Sequence, residues 1–116
     1  MTAVLLTAER DVVSEVVDAI NSLNQDELDE LGAWQPLSDL SSRTQFEAID
    51  GDPDSVIVDA PGRFQAIATV YVMLVYGSSR DEEAMSDEYV ATVQGRVLDN
   101  DVVIDTVKVD TTPFYE

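Results

Sequence analysis

The chain of 116 residues is long enough for one domain with its own core, and it carries 24 acidic residues against 6 basic ones, a net charge of -18. That balance argues against a surface for nucleic-acid backbone or anionic lipid, since each phosphate contact needs a cation. The absence of histidine and cysteine removes the commonest proton shuttle, the thiolate nucleophile, and any disulfide or thiolate metal site.

A hydrophobic content of 45% places the chain among those that fold despite its charge. The expectation is a single domain over residues 1–116, with a helical part and loop over 1–42 and an antiparallel strand meander over 43–116. No apolar run is long enough to span a bilayer, and Met1-Thr2-Ala3-Val4-Leu5-Leu6 lacks the basic flank and extended apolar region of a signal peptide. A cytoplasmic location is therefore expected, in keeping with the missing cysteines.

From Thr7 to Leu23 the residues Val12, Val13, Val16, Val17, Ile20 and Leu23 recur at helical spacing, while Asp11, Glu15 and Asp18 fall on the opposite face. Thr7 has the chemistry of a cap. Four valines lower intrinsic helix propensity, so this helix depends on packing its valine face against a sheet. Asn24 followed by Glu27 forms a capping-box pattern, Leu28 and Leu31 mark a short second helix, and Gly32 stops it. Trp34 and Pro36 then open a loop.

Beyond Arg43 the period changes to alternation with β-branched enrichment. It predicts strands at Gln45 to Ile49, Val56 to Asp59, Phe64 to Tyr76, Tyr89 to Leu98 and Val102 to Val109. Between the first two lies AIDGDPDSVIVD, whose Asp50, Asp52, Asp54 and Ile57 match an EF-hand-type calcium loop. Ser55 stands where that loop needs glycine and Pro61 where it needs a bidentate glutamate. Asp50-Gly51-Asp52-Pro53 reads more simply as a turn, so no metal or other cofactor is expected and the three aspartates remain weak metal candidates.

The segment from Phe64 to Tyr76 is apolar on both faces, as a central strand covered on both sides would be, and a homodimer partner is one candidate for the second cover. In the next strand Tyr89, Ala91, Val93 and Val97 share one face and Thr92, Gln94 and Arg96 the other. The connection between these strands concentrates charge at Asp81, Glu82, Glu83, Asp87 and Glu88 around Met85. It is either a solvated tip or a recognition element presenting carboxylates to an arginine-rich surface with Met85 as anchor. Asp99-Asn100-Asp101 fits the turn of the last hairpin. The closing Phe114 and Tyr115 are expected to dock onto their own sheet.

The fold class predicted is α+β: one or two N-terminal helices packed on a curved antiparallel sheet of four to five strands. By architecture alone this is analogous to cystatin-like or NTF2-like folds, some of which use the concave side as a ligand cavity. Phe64, Tyr71, Tyr76, Tyr89 and Trp34 would line such a cavity or, more simply, form core. No enzymatic constellation emerges, for there is no Gly-x-Ser-x-Gly elbow or phosphate loop, and Asp105, Lys108 and Asp110 do not have nuclease spacing.

The function expected is non-catalytic binding of a basic, nucleic-acid-binding protein. The binding residues would be Asp81, Glu82, Glu83, Met85, Asp87 and Glu88, with Asp11, Glu15 and Asp18 extending the surface. DNA-mimicking inhibition is the narrowest form of that expectation. The alternatives are a small domain whose acidity is salt adaptation, and a small-ligand pocket domain.

Overall fold

A computed structural model describes residues 2–59, 62–77, 80, 82–98 and 101–115, with side chains from 12 onward. The first helix, α1, runs Thr2–Asn21. It starts five residues ahead of Thr7, so Thr7 is helix interior and not its cap, because Ala3, Val4, Leu5 and Leu6 extend the helix backward at little cost. Val16 and Ile20 are fully buried, and Val12 packs beside them.

The second helix, α2 (Gln25–Glu30), has the expected capping box: Glu27 N donates to Asn24 Oδ1 (2.9 Å) and Asn24 N to Glu27 Oε1 (3.2 Å). It ends in a Schellman motif, with Gly32 at φ 77°, Gly32 N donating to Asp29 O and Ala33 N to Leu28 O. Trp34 and Pro36 do not open a loop; they lie in a short helix, α3 (Trp34–Ser38). Proline is tolerated there because the first helical turn has no intrahelical use for its missing N–H. Trp34 and Leu37 of α3 are buried, and Trp34 meets Phe46 edge-on at 6.4 Å between centroids.

The strands β1 (Arg43–Gly51), β2 (Ile57–Asp59), β3 (Arg63–Tyr76), β4 (Glu83–Leu98) and β5 (Asp101–Val109) form one curled antiparallel sheet ordered β1-β3-β4-β5, with β2 also paired to β3. The α+β class with a curved five-stranded sheet is thus what the chain adopts. Two bulges accentuate the curl, one leaving Glu47 unmatched opposite β3 and one leaving Asp105 unmatched opposite β4. Both extra residues are exposed acids, a chemistry that tolerates leaving the ladder.

One sheet face takes the helices. On β3 the even positions Phe64 to Leu74 are buried, and on β4 Tyr89, Ala91 and Val93; these join Val16, Ile20, Leu28 and Leu37 in a single core. Gly95 is part of this inner face because the Phe64 ring lies over it, 2.7 Å from where a Cβ would stand. Gly51 similarly makes room for Ile20, at 3.3 Å. The long shape, 63 × 23 × 22 Å, follows from fourteen- and sixteen-residue strands paired along their whole length.

Two further expectations need correction. Glu83 to Glu88 are not loop but the first residues of β4, paired to Tyr76 through Tyr71. Continuous ladder bonding to β3 outweighs the weak strand propensity of acids. The C-terminal aromatics do not dock onto the sheet: they lie in a short helix, α4 (Thr112–Tyr115), where Phe114 and Tyr115 are exposed and contact each other edge-on. Asp99 and Asn100, expected in the last turn, lie outside the described residues.

Candidate functional site

Helical spacing turns Glu15 and Asp18 of α1 outward, opposite the buried Val16 and Ile20, and both are exposed. The backbone of Asp11 belongs to the same helix, and its side chain is outside the described set. Asp26, Glu27, Asp29 and Glu30 cover α2 in the same exposed way, because Leu28 alone is buried there. From residue 12 to residue 42 the sequence contains seven acids and no base. From residue 12 onward the helical layer is therefore purely anionic, and Arg10 is the one base in α1.

Between α1, α2 and β5 lies a groove of about 320 Å³. Leu23, Leu31, Val102 and Ile104 give it apolar walls, and Glu27 and Glu30 stand at its margin. Its chemistry suits a side chain with an apolar stem and a cationic end.

The hairpin acids are divided by what already holds them. Asp81 lies outside the described residues. Arg43 Nη2 donates to Glu82 Oε1 at 2.7 Å, so Glu82 is engaged within the chain. The Asp87 carboxylate accepts from Tyr89 Oη (2.7 Å) and from Glu88 N (2.8 Å). Burial first, and this carboxylate second, raise the Tyr89 phenol above its ordinary range. Glu83 and Glu88 have no ion pair among the described residues, and Met85 is 54% exposed. The sequence-predicted cluster is thus not one patch: Glu83 and Met85 share the inner sheet face by register, and Glu88 stands on the outer one.

The three candidate calcium ligands do not converge into one loop. Asp50 sits in the β1 ladder opposite Thr69, whereas Asp52 Oδ1 accepts from Asp54 N (2.9 Å) and caps a 3-10 turn over Pro53–Ser55. Ser55 Oγ donates to Asp52 O and accepts from Ile67 N, tying this turn to β3. Among the described residues no three carboxylates gather at metal-binding distance. Asp105, considered for metal chemistry, instead receives both Nε and Nη2 of Arg96, at 2.9 and 3.0 Å. Those charge-assisted bonds hold its carboxyl below the ordinary range, and hydrogen bonds from Thr112 do the same for Asp110.

Of the aromatics proposed to line a cavity, Phe64, Tyr89 and Trp34 are core, and Tyr76 is half-buried with its hydroxyl donating to Leu40 O. Tyr71 is on the outer face, apart from the others.

Sequence reasoning missed the destination of the cations. Arg43, Arg63, Arg96 and Lys108 all stand on the outer sheet face, by their register with Val75, with one another, and with Thr92. The outward acids of the strands are Asp50, Asp59, Glu88, Asp101 and Asp105. With Glu82 held by the outward Arg43 and the bulged Glu47 exposed beside them, four cations stand against seven anions, so this face carries only a small share of the net charge of -18. Alternation within β3 and β4 carried half of this signal, and the cross-strand register carried the rest.

Comparison with protein-family models, with curated proteins and with solved structures finds no match to this chain.

Proposed function

We propose that the protein is a binding module whose helical layer engages a basic protein surface and performs no catalytic step. The observation supporting this is charge segregation: from residue 12 to the end of α2 the helices carry acids and no base, Arg10 in the first half of α1 being the exception, while four of the six cations sit behind them on the opposite sheet face. Glu15, Asp18, Asp26, Asp29 and Glu30 form the primary contact surface, and the groove at Leu23 and Ile104 receives an apolar stem. Glu83, on the inner sheet face, plays a secondary role.

A basic surface of this kind is characteristic of nucleic-acid-binding proteins, and the narrowest version of the reading is DNA mimicry. The charge density bears on that version: about one net charge per 3.5 Å of long axis, against one per ~1.7 Å in duplex DNA. The chain approximates one strand of phosphates more closely than two.

The test uses purified arginine- and lysine-rich nucleic-acid-binding proteins as probes, with binding titrated against salt and against competing duplex DNA. Binding at low salt, loss as salt rises, and displacement by DNA are expected. Glu15→Lys with Asp18→Lys and Glu30→Lys lowers the association rate most, with folding intact. Failure of every basic probe at low salt overturns the proposal.

A second reading has its own support, because acids also occupy the strands and turns and Lys108 is the sole lysine. Salt adaptation then accounts for the composition without a partner. It predicts a melting temperature that climbs steadily toward molar potassium chloride as self-repulsion is screened.

A further inference from the structure

The outer face of the sheet combines three properties. Val90, Ile67 and Tyr71 are 53%, 44% and 37% exposed there, at the centre of the sheet, so the face shows aliphatic and aromatic surface to water. It carries far less net charge than the rest of the molecule, since four of the six cations stand on it. Its charges are also placed symmetrically: Ile67 pairs with Thr92, the arginine pair Arg63 and Arg96 lies four residues to one side, and Tyr71 with Glu88 lies four residues to the other.

We infer that a second copy of this chain packs on this outer face, across a twofold axis that crosses the strands at the row of Ile67 and Thr92. Reversing the strands about that row sets Arg63 of one copy over Tyr71 of the other, with Glu88 on the neighbouring strand. The same reversal sets Arg96 over Glu88. Arg63 makes no ion pair among the described residues, so its guanidinium is available for a carboxylate or an aromatic face. An isologous contact demands this kind of self-complementarity, and a contact with a different protein does not.

Electrostatics selects the same face. Two chains of net charge -18 repel strongly through their helical layers, whereas the outer sheet faces bring much less net charge together. Lys108, in the central row but on the edge strand, has a long stem that turns its ammonium to solvent at the rim. The area is modest: rows from Arg63 to Met73 are three strands wide for most of their length and offer about 500 Å² per copy, or ~1,000 Å² in total, the threshold for a specific interface. Sheets packed this way lie ~10 Å apart and nearly aligned.

The inference is independent of the helical surface proposed above for basic partners. Sedimentation equilibrium, at low and at molar potassium chloride and up to high protein concentration, tests it. A species of twice the 12.7 kDa chain mass is expected, strengthened by salt because screening relieves the repulsion between copies. Val90→Glu places carboxylates on both sides of the contact and weakens association at least tenfold, while circular dichroism shows an unchanged fold. Arg63→Glu and Glu88→Arg each weaken it, and the double variant binds better than Glu88→Arg alone because the pair of Arg63 and Glu88 is exchanged within every copy, while the contact of position 88 with Arg96 stays lost. A monomer under all conditions overturns the inference. So does a dimer indifferent to Val90→Glu, or a double variant no better than the worse single one.

Discussion

The two faces of the sheet are made from the same strands, one residue apart, and they obey different rules. The inner face from Phe64 to Leu74 is dry, apolar and sealed by α1 and α3, with Gly51 and Gly95 cut down to hydrogen where Ile20 and Phe64 press in. The outer face mixes Ile67, Tyr71 and Val90 with threonine, glutamine and charges of both signs, and only its Val75 is buried on β3. The Arg43 to Glu82 ion pair crosses β3 at that residue's row. Packing thus constrains one face, and solubility and contact with other molecules constrain the other.

The largest expected effect sharpens that contrast by placing the same kind of charge on each side. Val16→Asp buries an unpaired carboxylate under the helix and destabilises the domain by about 3 kcal/mol or more. Val90→Glu on the outer face changes the stability of the monomer by no more than about 0.5 kcal/mol. Urea unfolding of both variants at one protein concentration checks the difference, and equal losses would break it.

A middle-sized effect tests the tightest point of the inner face. Gly95→Ala puts a methyl group against the Phe64 ring and the Val103 carbonyl, at a position where the backbone belongs to a bulged ladder. A loss of about 2 kcal/mol is expected, within the range for overpacking, and thermal denaturation reads it. Because the Val103 carbonyl is the nearer obstacle, the companion variant Gly95→Ala with Phe64→Leu does not recover the loss.

The smallest effect concerns the outer face and pH. Asp105 and Asp110 have carboxyl groups held below their unfolded range by hydrogen bonds from Arg96 and Thr112. The stabilisation they provide is complete above the unfolded carboxylate pKa, roughly 3.9, and is lost as pH falls through the lower folded values. Asp105→Asn should therefore lower the neutral plateau, leave stability at the acid end unchanged and so flatten the acid limb, by a small amount because the pair with Arg96 is exposed. Denaturant titrations across the acid range measure this.

Much of the fold was legible because its signals are local. Asn24, Glu27 and Gly32 specify both ends of α2 through hydrogen bonds that close within a few residues, and the apolar run from Phe64 to Tyr76 marked a long central strand. The misses have a shared origin in partners distant in sequence. Glu83 to Glu88 became strand because β3 was long enough to pair them, and Trp34 to Ser38 became helix where Trp34 and Leu37 enter the core. The predicted site was legible only as composition: Glu82 and Asp87 look like free carboxylates until Arg43 and Tyr89 are brought to them.

By itself the sequence determined the α+β class, the anionic helical layer and the periodic core positions, since each depends on residue type and short-range spacing. Tertiary structure alone decided where the cations go. Arg63 and Arg96 are 33 positions apart and reveal nothing about one another until β3 and β4 are in register, whereupon they share a row of the outer face with Tyr71 and Glu88 placed beyond Ile67. Charge number is a property of the chain; charge placement depends on which backbone groups pair, and antiparallel register is set by the packed core that those charges never enter.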